Sequence, residues 1–274
     1  MKQSRLLLRV LALGVLAMQI TSCKKIIEHW PGHGHGHGGD DSTVHYRIKS
    51  MVYGPNNPAD SAESRATFYY GADNLLDSVT SVRPDYRVLL TFEYDQNGNL
   101  KKYADLKADD VLQFPVNLYT DAYGLDNTGR AATDSFGFVT RMGYLYDITS
   151  HFKYDSSGRI VKDYYNISDF EPGPSSDSVI FNYDAQGNRG LVISARPYDV
   201  TGDGVTNNTI YDDKVAYRST NPIFQLIDRD YSVNNSNYAT GYNSAGLPLG
   251  FARGSTEEFL HLGEPREIEW EEVP

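Results

Sequence analysis

Phe92-Glu93-Tyr94-Asp95-Gln96-Asn97-Gly98-Asn99 alternates aromatic and polar residues and then runs into Asp-x-x-Gly. Successive side chains of an extended chain point to opposite sides, so Phe92 and Tyr94 share one face and Glu93 takes the other. Asp95 is placed to accept a backbone N–H two residues on, and Gly98 supplies the left-handed conformation that closes a type I turn with a bulge. The pattern returns as Phe152-Lys153-Tyr154-Asp155-Ser156-Ser157-Gly158-Arg159 and as Phe181-Asn182-Tyr183-Asp184-Ala185-Gln186-Gly187-Asn188. Looser copies begin at Tyr70, Leu125, Tyr211 and Tyr242; in the first of them Asn74 takes the turn-closing place. The seven aromatic-equivalent positions are separated by 24, 31, 29, 29, 28 and 31 residues. A period near 30 accommodates two strands, a tight turn and a longer return loop. The expectation is an all-β fold: an antiparallel meander of about 12–14 strands, either a strongly curled open sheet or a soluble barrel.

Composition supports strands throughout. The chain holds 21 tyrosines, and short alternating or apolar runs dominate, such as Val44-His45-Tyr46-Arg47-Ile48, Val88-Leu89-Leu90-Thr91-Phe92 and Ile268-Glu269-Trp270. Residues 43–274 carry no second linker and are expected to form a single β domain.

The N-terminal stretch reads differently. Lys2, Arg5 and Arg9 precede an apolar run, Val10 to Ile20, that is short for a bilayer span. Ile20-Thr21-Ser22-Cys23 then resembles the lipobox of bacterial lipoproteins. That resemblance implies a signal peptide over 1–22, cleavage before Cys23, acylation of that cysteine and tethering to the membrane by lipid. The other reading is an ordinary secretory peptide with a chance cysteine. Cys23 is the only cysteine, so no intrachain disulfide forms. Lys24 and Lys25, with no aspartate after the cysteine, point by analogy with Gram-negative sorting to an outer-membrane lipoprotein; the membrane face stays open. Loss of Lys2, Arg5 and Arg9 with the leader takes the formal charge from −11 to −14. Such acidity repels phosphate backbones, so nucleic acid is excluded as the natural partner. Residues 23–42 form the lipidated cysteine and a His/Gly-rich tether. His33, His35 and His37 fit a flexible linker, and they are also the best transition-metal ligands in the chain, with Asp40 and Asp41 as added oxygen donors.

Further along, the Tyr-Asp-x-x-Gly-Arg unit resembles the YD repeats of Rhs-type shells and teneurins, most closely over Tyr154 to Ile160. A second resemblance rests on Tyr211-Asp212-Asp213-Lys214, Asn221-Pro222, Arg229-Asp230-Tyr231-Ser232 with Asn234-Asn235, Tyr242-Asn243 and Gly246-Leu247-Pro248. These are similar to a Bacteroidetes-type lipoprotein family with a domain described as porin-like and no assigned activity. It implies fold and compartment only. A membrane-embedded barrel is not expected, because the faces opposite the aromatics carry Glu, Lys and Asn where an outward apolar band is required.

Candidate sites are few. Asp199, Thr201, Asp203 and Asn207 resemble the start of a calcium loop, with oxygen donors at alternate positions and Gly204 for the sharp turn. The twelfth position is Ile210 where an acid is expected, so a Gly/Asp/Asn hairpin loop reads equally. Asn166 to Ser178 is expected to be a long return loop and hence a candidate binding loop. No phosphate-cradling glycine loop, nucleophile elbow or paired-histidine metalloprotease motif occurs. His45, His151 and His261 are scattered; Asp109-Asp110 and Glu257-Glu258 are adjacent and point apart in strands. The function expected is a lipid-anchored envelope binding or structural module with a glycan or peptide ligand. The alternatives are a glycan hydrolase using loop carboxylates and a calcium-stabilised adhesin.

Overall fold

The computed structural model describes residues 45–54, 64–82, 86–109, 115–140, 145–168, 175–195, 209–253, 259–260 and 262–273. The leader, the tether with Cys23, His33, His35 and His37, and the loop with Asp199, Thr201, Asp203 and Asn207 lie outside the described residues.

The first half of the fold comprises β1 (His45–Gly54), β2 (Ser64–Tyr70), β3 (Leu76–Val82), β4 (Tyr86–Tyr94), β5 (Leu100–Asp109), β6 (Pro115–Leu125), β7 (Ala131–Thr140) and β8 (Leu145–Tyr154). The second comprises β9 (Ile160–Ser168), β10 (Ser175–Tyr183), β11 (Arg189–Ala195), β12 (Tyr211–Val215), the helix α1 (Pro222–Asp228), β13 (Asn234–Ser236), β14 (Ala239–Tyr242), β15 (Pro248–Phe251) and β16 (Glu264–Val273). Strands β1 to β11 meander in sequence, and β16 pairs antiparallel with β1, giving an open sheet of 12 strands. Of the two forms the sequence left open, the sheet is therefore the open one. The expected run of seven equivalent units is corrected at its end: β12 pairs with β13 and β14 with β15 in two separate ribbons. Those strands are only three to five residues long, shorter than the seven- to eleven-residue strands of the sheet. The long loop expected at 166–178 is also corrected, because Asn166–Ser168 belongs to β9 and Ser175–Ser178 to β10.

The turns follow the chemistry of the repeat. Asp95 Oδ1 accepts from the backbone N–H of Asn97 at 2.8 Å and of Asn99 at 2.9 Å, and Gly98 has φ +81°. The same paired acceptance recurs at Asp126, Asp155, Asp184 and Asn243. Phe92, Phe152 and Phe181 are buried, whereas Tyr94, Tyr154 and Tyr183 stay part-buried, because each hydroxyl has a task. Tyr94 donates to the Leu76 carbonyl at 2.7 Å, Tyr154 to Ala131 at 2.6 Å, Tyr183 to Ile160 at 3.4 Å and Tyr211 to Arg189 at 2.6 Å. Every acceptor opens the strand that follows the preceding turn, so each of these four units is stitched to the one before it. Arg130 lies over the Tyr154 ring and Arg159 over Tyr183, at 4.7 and 4.3 Å, adding a cation–π contact to the stitch.

One face of the sheet is buried by the segment after β12. A 3-10 turn, Tyr217–Thr220, leads into α1, whose start is set by Asn221: its side chain accepts from the Ile223 N–H, and Pro222 takes the first turn. Seven residues make a marginal helix alone, so burial of Ile223, Phe224 and Ile227 supplies most of its stability. Phe224 packs edge-on to Phe68 of β2 and to Phe259, with centroids 6.3 and 4.8 Å apart. A single core joins the sheet face, α1, Phe251 of β15 and Phe259, Leu260 and Leu262.

Substituting turn and contact glycines ranks their roles. Gly158 has φ +78° and open space where a Cβ would stand, so Gly158→Ala is expected to cost about 1 kcal/mol in urea unfolding. A Cβ on Gly250 would lie 1.9 Å from the Arg266 carbonyl oxygen of β16, so Gly250→Ala is expected to be far more damaging, with loss of the cooperative transition.

Candidate functional site

The buried face of the sheet is not uniformly apolar. Asp105, Asp121, Asp134 and Asp163 stand on β5, β6, β7 and β9 with exposures of 2, 8, 3 and 9%. Each is two residues from an aromatic in the same strand: Tyr103, Tyr123, Phe136 and Tyr165. That spacing forces acid and ring onto one side. Register places Asp134 directly between Tyr123 and Ser150, and Asp163 opposite Phe152.

Arg229 brings a cation into this row. Arg229 ends α1 in the left-handed conformation, φ 52° and ψ 33°, which turns its side chain back towards the sheet. Its Nη2 donates to Asp134 Oδ2 at 2.7 Å, and its Nε lies 3.7 Å from Asp163 Oδ2. Nη1 donates to the Leu226 carbonyl of its own helix. The guanidinium carbon lies 4.4 Å from the Phe152 ring centroid. Burial pushes the Asp121 carboxyl up to about 8, reinforced by the neighbouring Asp134 charge and opposed by Arg229. Asp121 and Asp134 hydrogen-bond to each other, with Asp121 the protonated donor at neutral pH; burial raises the Asp134 carboxyl as well, against the charge and hydrogen bond of Arg229, which lower it. Asp163 is likewise raised by burial, against Arg229 and a hydrogen bond with Ser150.

A second buried network continues from the same corner. Arg218 Nε pairs with Asp228 Oδ2 at 2.7 Å, and Arg218 and Arg189 approach Asp230 Oδ2 at 3.7 and 3.2 Å. Burial alone would raise Asp230; Arg189, Arg218 and two donors from Ser232 outweigh it and hold the carboxyl below its usual range. Asn235 accepts from the Tyr217 N–H and donates to the Val215 carbonyl. Asn188 Oδ1 accepts from the N–H groups of Val233 and Asn234. The Asn221-Pro222, Arg229-Asp230-Tyr231-Ser232 and Asn234-Asn235 motifs are thus the fastenings of the segment that covers the sheet.

This constellation can share a proton and hold charge, but it is enclosed beneath α1. Among the described residues no group of three or more His, Cys, Asp or Glu is arranged to hold a metal ion. Asp109 lies at the end of β5, and Asp110, Glu257, Glu258 and His261 lie outside the described residues. Sequence reading missed the carboxylate row; the signal was the Asp-x-aromatic or aromatic-x-Asp parity in four strands.

The opposite face carries the exposed groups. On β8 and β9, His151 stands opposite Tyr164 and Lys153 opposite Lys162. Lys162 Nζ and Lys153 Nζ lie 4.1 and 5.1 Å from the Tyr164 ring centroid. Hydrogen bonds to Lys162 and then Lys153 lower the phenol's pKa. Tyr69 and Leu89 are exposed on β2 and β4 of this face. Between the two groups lie small residues, among them Ala122, Gly124 and Ser135.

No family model matches the chain, and no curated protein matches it significantly. Among the described residues, no helix is long and apolar enough to cross a membrane.

Two outcomes test the buried row. The folded Asp121 keeps its proton up to about 8, against 3.8 for an ordinary aspartate. Between those values the folded chain holds a proton that the unfolded chain lacks, so this stabilising contribution is complete below pH 4 and is lost as pH rises towards 8. Asp121→Asn keeps a donor for Asp134 and is expected to flatten that loss, raising stability at pH 9 by about 2–4 kcal/mol in denaturant melts. Arg229→Met leaves buried carboxylates without their cation and is expected to cost about 3–5 kcal/mol at pH 7, less at pH 5 where the acids take up protons.

Proposed function

We propose that this protein is a lipid-anchored cell-envelope module that binds a ligand on the open face of its sheet. The observation that carries the reading is the division of labour between the two faces. One is sealed by α1 and its fastenings; the other presents Tyr69, Leu89, His151, Lys153 and Tyr164 with no described element packed over them. The lipobox-like Ile20-Thr21-Ser22-Cys23 supports attachment to the outer membrane through Cys23, with residues 23–42 as the spacer and a glycan or peptide as the ligand class. The hydrolase alternative would need its carboxylate pair open to substrate. Its loop carboxylates, Asp110, Glu257 and Glu258 among them, lie outside the described residues, and the strand pair Asp121 and Asp134, which share a hydrogen bond, is buried. The calcium-stabilised adhesin turns on Asp199, Thr201, Asp203 and Asn207, outside the described residues, and a calcium-dependent shift of the melting midpoint is its test.

The full-length chain produced in a Gram-negative host should incorporate radiolabelled palmitate and sediment with outer membranes, and Cys23→Ser should do neither. On glycan and peptide arrays the purified chain should retain ligand without releasing reducing ends. Labelling that survives Cys23→Ser overturns the anchor, and turnover of an arrayed glycan overturns the binding role.

A further inference from the structure

The outer face of β8 and β9 contains an arrangement that sheet stability does not favour. Lys153 and Lys162 are directly opposed across the ladder, and like charges in that position destabilise a strand pair. Three other lysines have acids beside them: Lys49 with Glu269 at 2.7 Å, Lys102 with Glu93 at 3.6 Å and Lys214 with Asp213 at 3.0 Å. Among the described residues no carboxylate pairs with Lys153 or Lys162. Among the side chains described on these strands, the acids Asp134 of β7 and Asp163 of β9 lie on the buried side. A chain of net charge −11 has thus concentrated unneutralised positive charge at one place on an open surface.

Both ammonium groups converge on Tyr164, and His151 completes a two-by-two grid as the cross-strand neighbour of Tyr164. Strands lie about 4.8 Å apart and same-face residues about 6.8 Å apart along a strand, so the grid is flat and about one sugar ring across. Around it, Ser178 pairs with Tyr164, Thr133 with His151 and Thr149 with Asn166. These offer hydroxyl and amide groups, with Ile180, opposite Lys162, as the apolar neighbour among the described residues. We propose that Lys153, Lys162, Tyr164 and His151 form a binding site for an acidic polysaccharide, its carboxylate or sulfate groups held between the two ammonium groups and its hydroxyls by the surrounding polar side chains. The assignment rests on the reading of the sheet as a ligand-binding surface and names the ligand's chemical class. Bound anions neutralise the opposed lysines, and a polymer gains further from repeated charge along its length.

The test is retention of the full-length chain on immobilised polygalacturonate, dextran sulfate, neutral dextran and poly-glutamate. Retention on one or both anionic polysaccharides is expected, with none on dextran; carboxylate and sulfate sources are separated by which of the two holds the chain. Lys153→Ala/Lys162→Ala should weaken retention about tenfold at low salt, and raised salt should abolish it. Lys153→Arg/Lys162→Arg should preserve it, as should Lys49→Ala/Lys214→Ala, which removes equal charge from lysines already paired. The double alanine variant should melt no lower than the parent, since it relieves a repulsion. Equal binding by the double alanine variant, or equal retention on poly-glutamate, overturns the assignment. Absence of retention on both anionic polysaccharides also overturns it, while capture of neutral glycans or peptides on the arrays would leave the broader binding role standing.

Discussion

Arg229 stands where the helix ends and the sheet begins, and its geometry connects the two. A left-handed residue other than glycine is strained, and the strain is held by what the side chain reaches: Asp134, Asp163 and the face of Phe152. Without it, the aspartates of β7 and β9 would be charges in an apolar layer with no counter-ion, and α1 would be held by its hydrophobic contacts and the pairing of Asp228 with Arg218, with no tie to the row. Removing one partner from such a buried group costs more than the pairing itself contributes, because the remaining charge stays desolvated. The row therefore behaves less as a source of net stability than as a device that fixes where the covering segment docks. Asp121, kept protonated by its neighbour and its burial, lets a third acid join without a second cation.

The sheet to which that segment docks is assembled by a local rule. Each Asp-x-x-Gly turn closes its own hairpin, and each following tyrosine hydroxyl reaches back to the carbonyl that opens the previous return strand. Neighbouring hairpins are thus joined by side chain as well as by ladder. The rule fails where the strands shorten: Tyr242 directs its hydroxyl to Asp212, not to a backbone carbonyl, and its hairpin stands apart from the sheet.

Local rules were also what the sequence disclosed. Phe92 to Asn99 was legible because alternation, Asx acceptance and a left-handed glycine are properties of adjacent residues. The identity of β16 as the partner of β1 was not legible, since Arg47 with Glu271 and Lys49 with Glu269 are matched across more than 200 residues. The helix escaped notice although Asn221-Pro222 is a sound start signal, because seven residues give too few turns for periodicity to register. The carboxylates were hidden for another reason: an Asp in a strand reads as a solvent-facing residue, and only the parity it shares with Tyr103, Tyr123, Phe136 or Tyr165 places it inside. The opposed lysines needed register, which the turn lengths fix only approximately.

The pairing of β1 with β16 has a consequence for how the molecule is made. Tyr46 and Glu272, hydrogen-bonded to each other, are 226 residues apart, so the first strand emerges long before its second neighbour exists. Contacts of such separation close late and slowly. Until then the unoccupied side of β1 is an open template for any extended peptide, the kind of edge along which chains join to one another. The acids of β16, facing Arg47 and Lys49, select the right strand for that edge. A ribosome that stops short of Glu264 therefore releases a chain whose hairpins can fold but whose margin stays adhesive, so that truncated copies are expected to be the ones that aggregate.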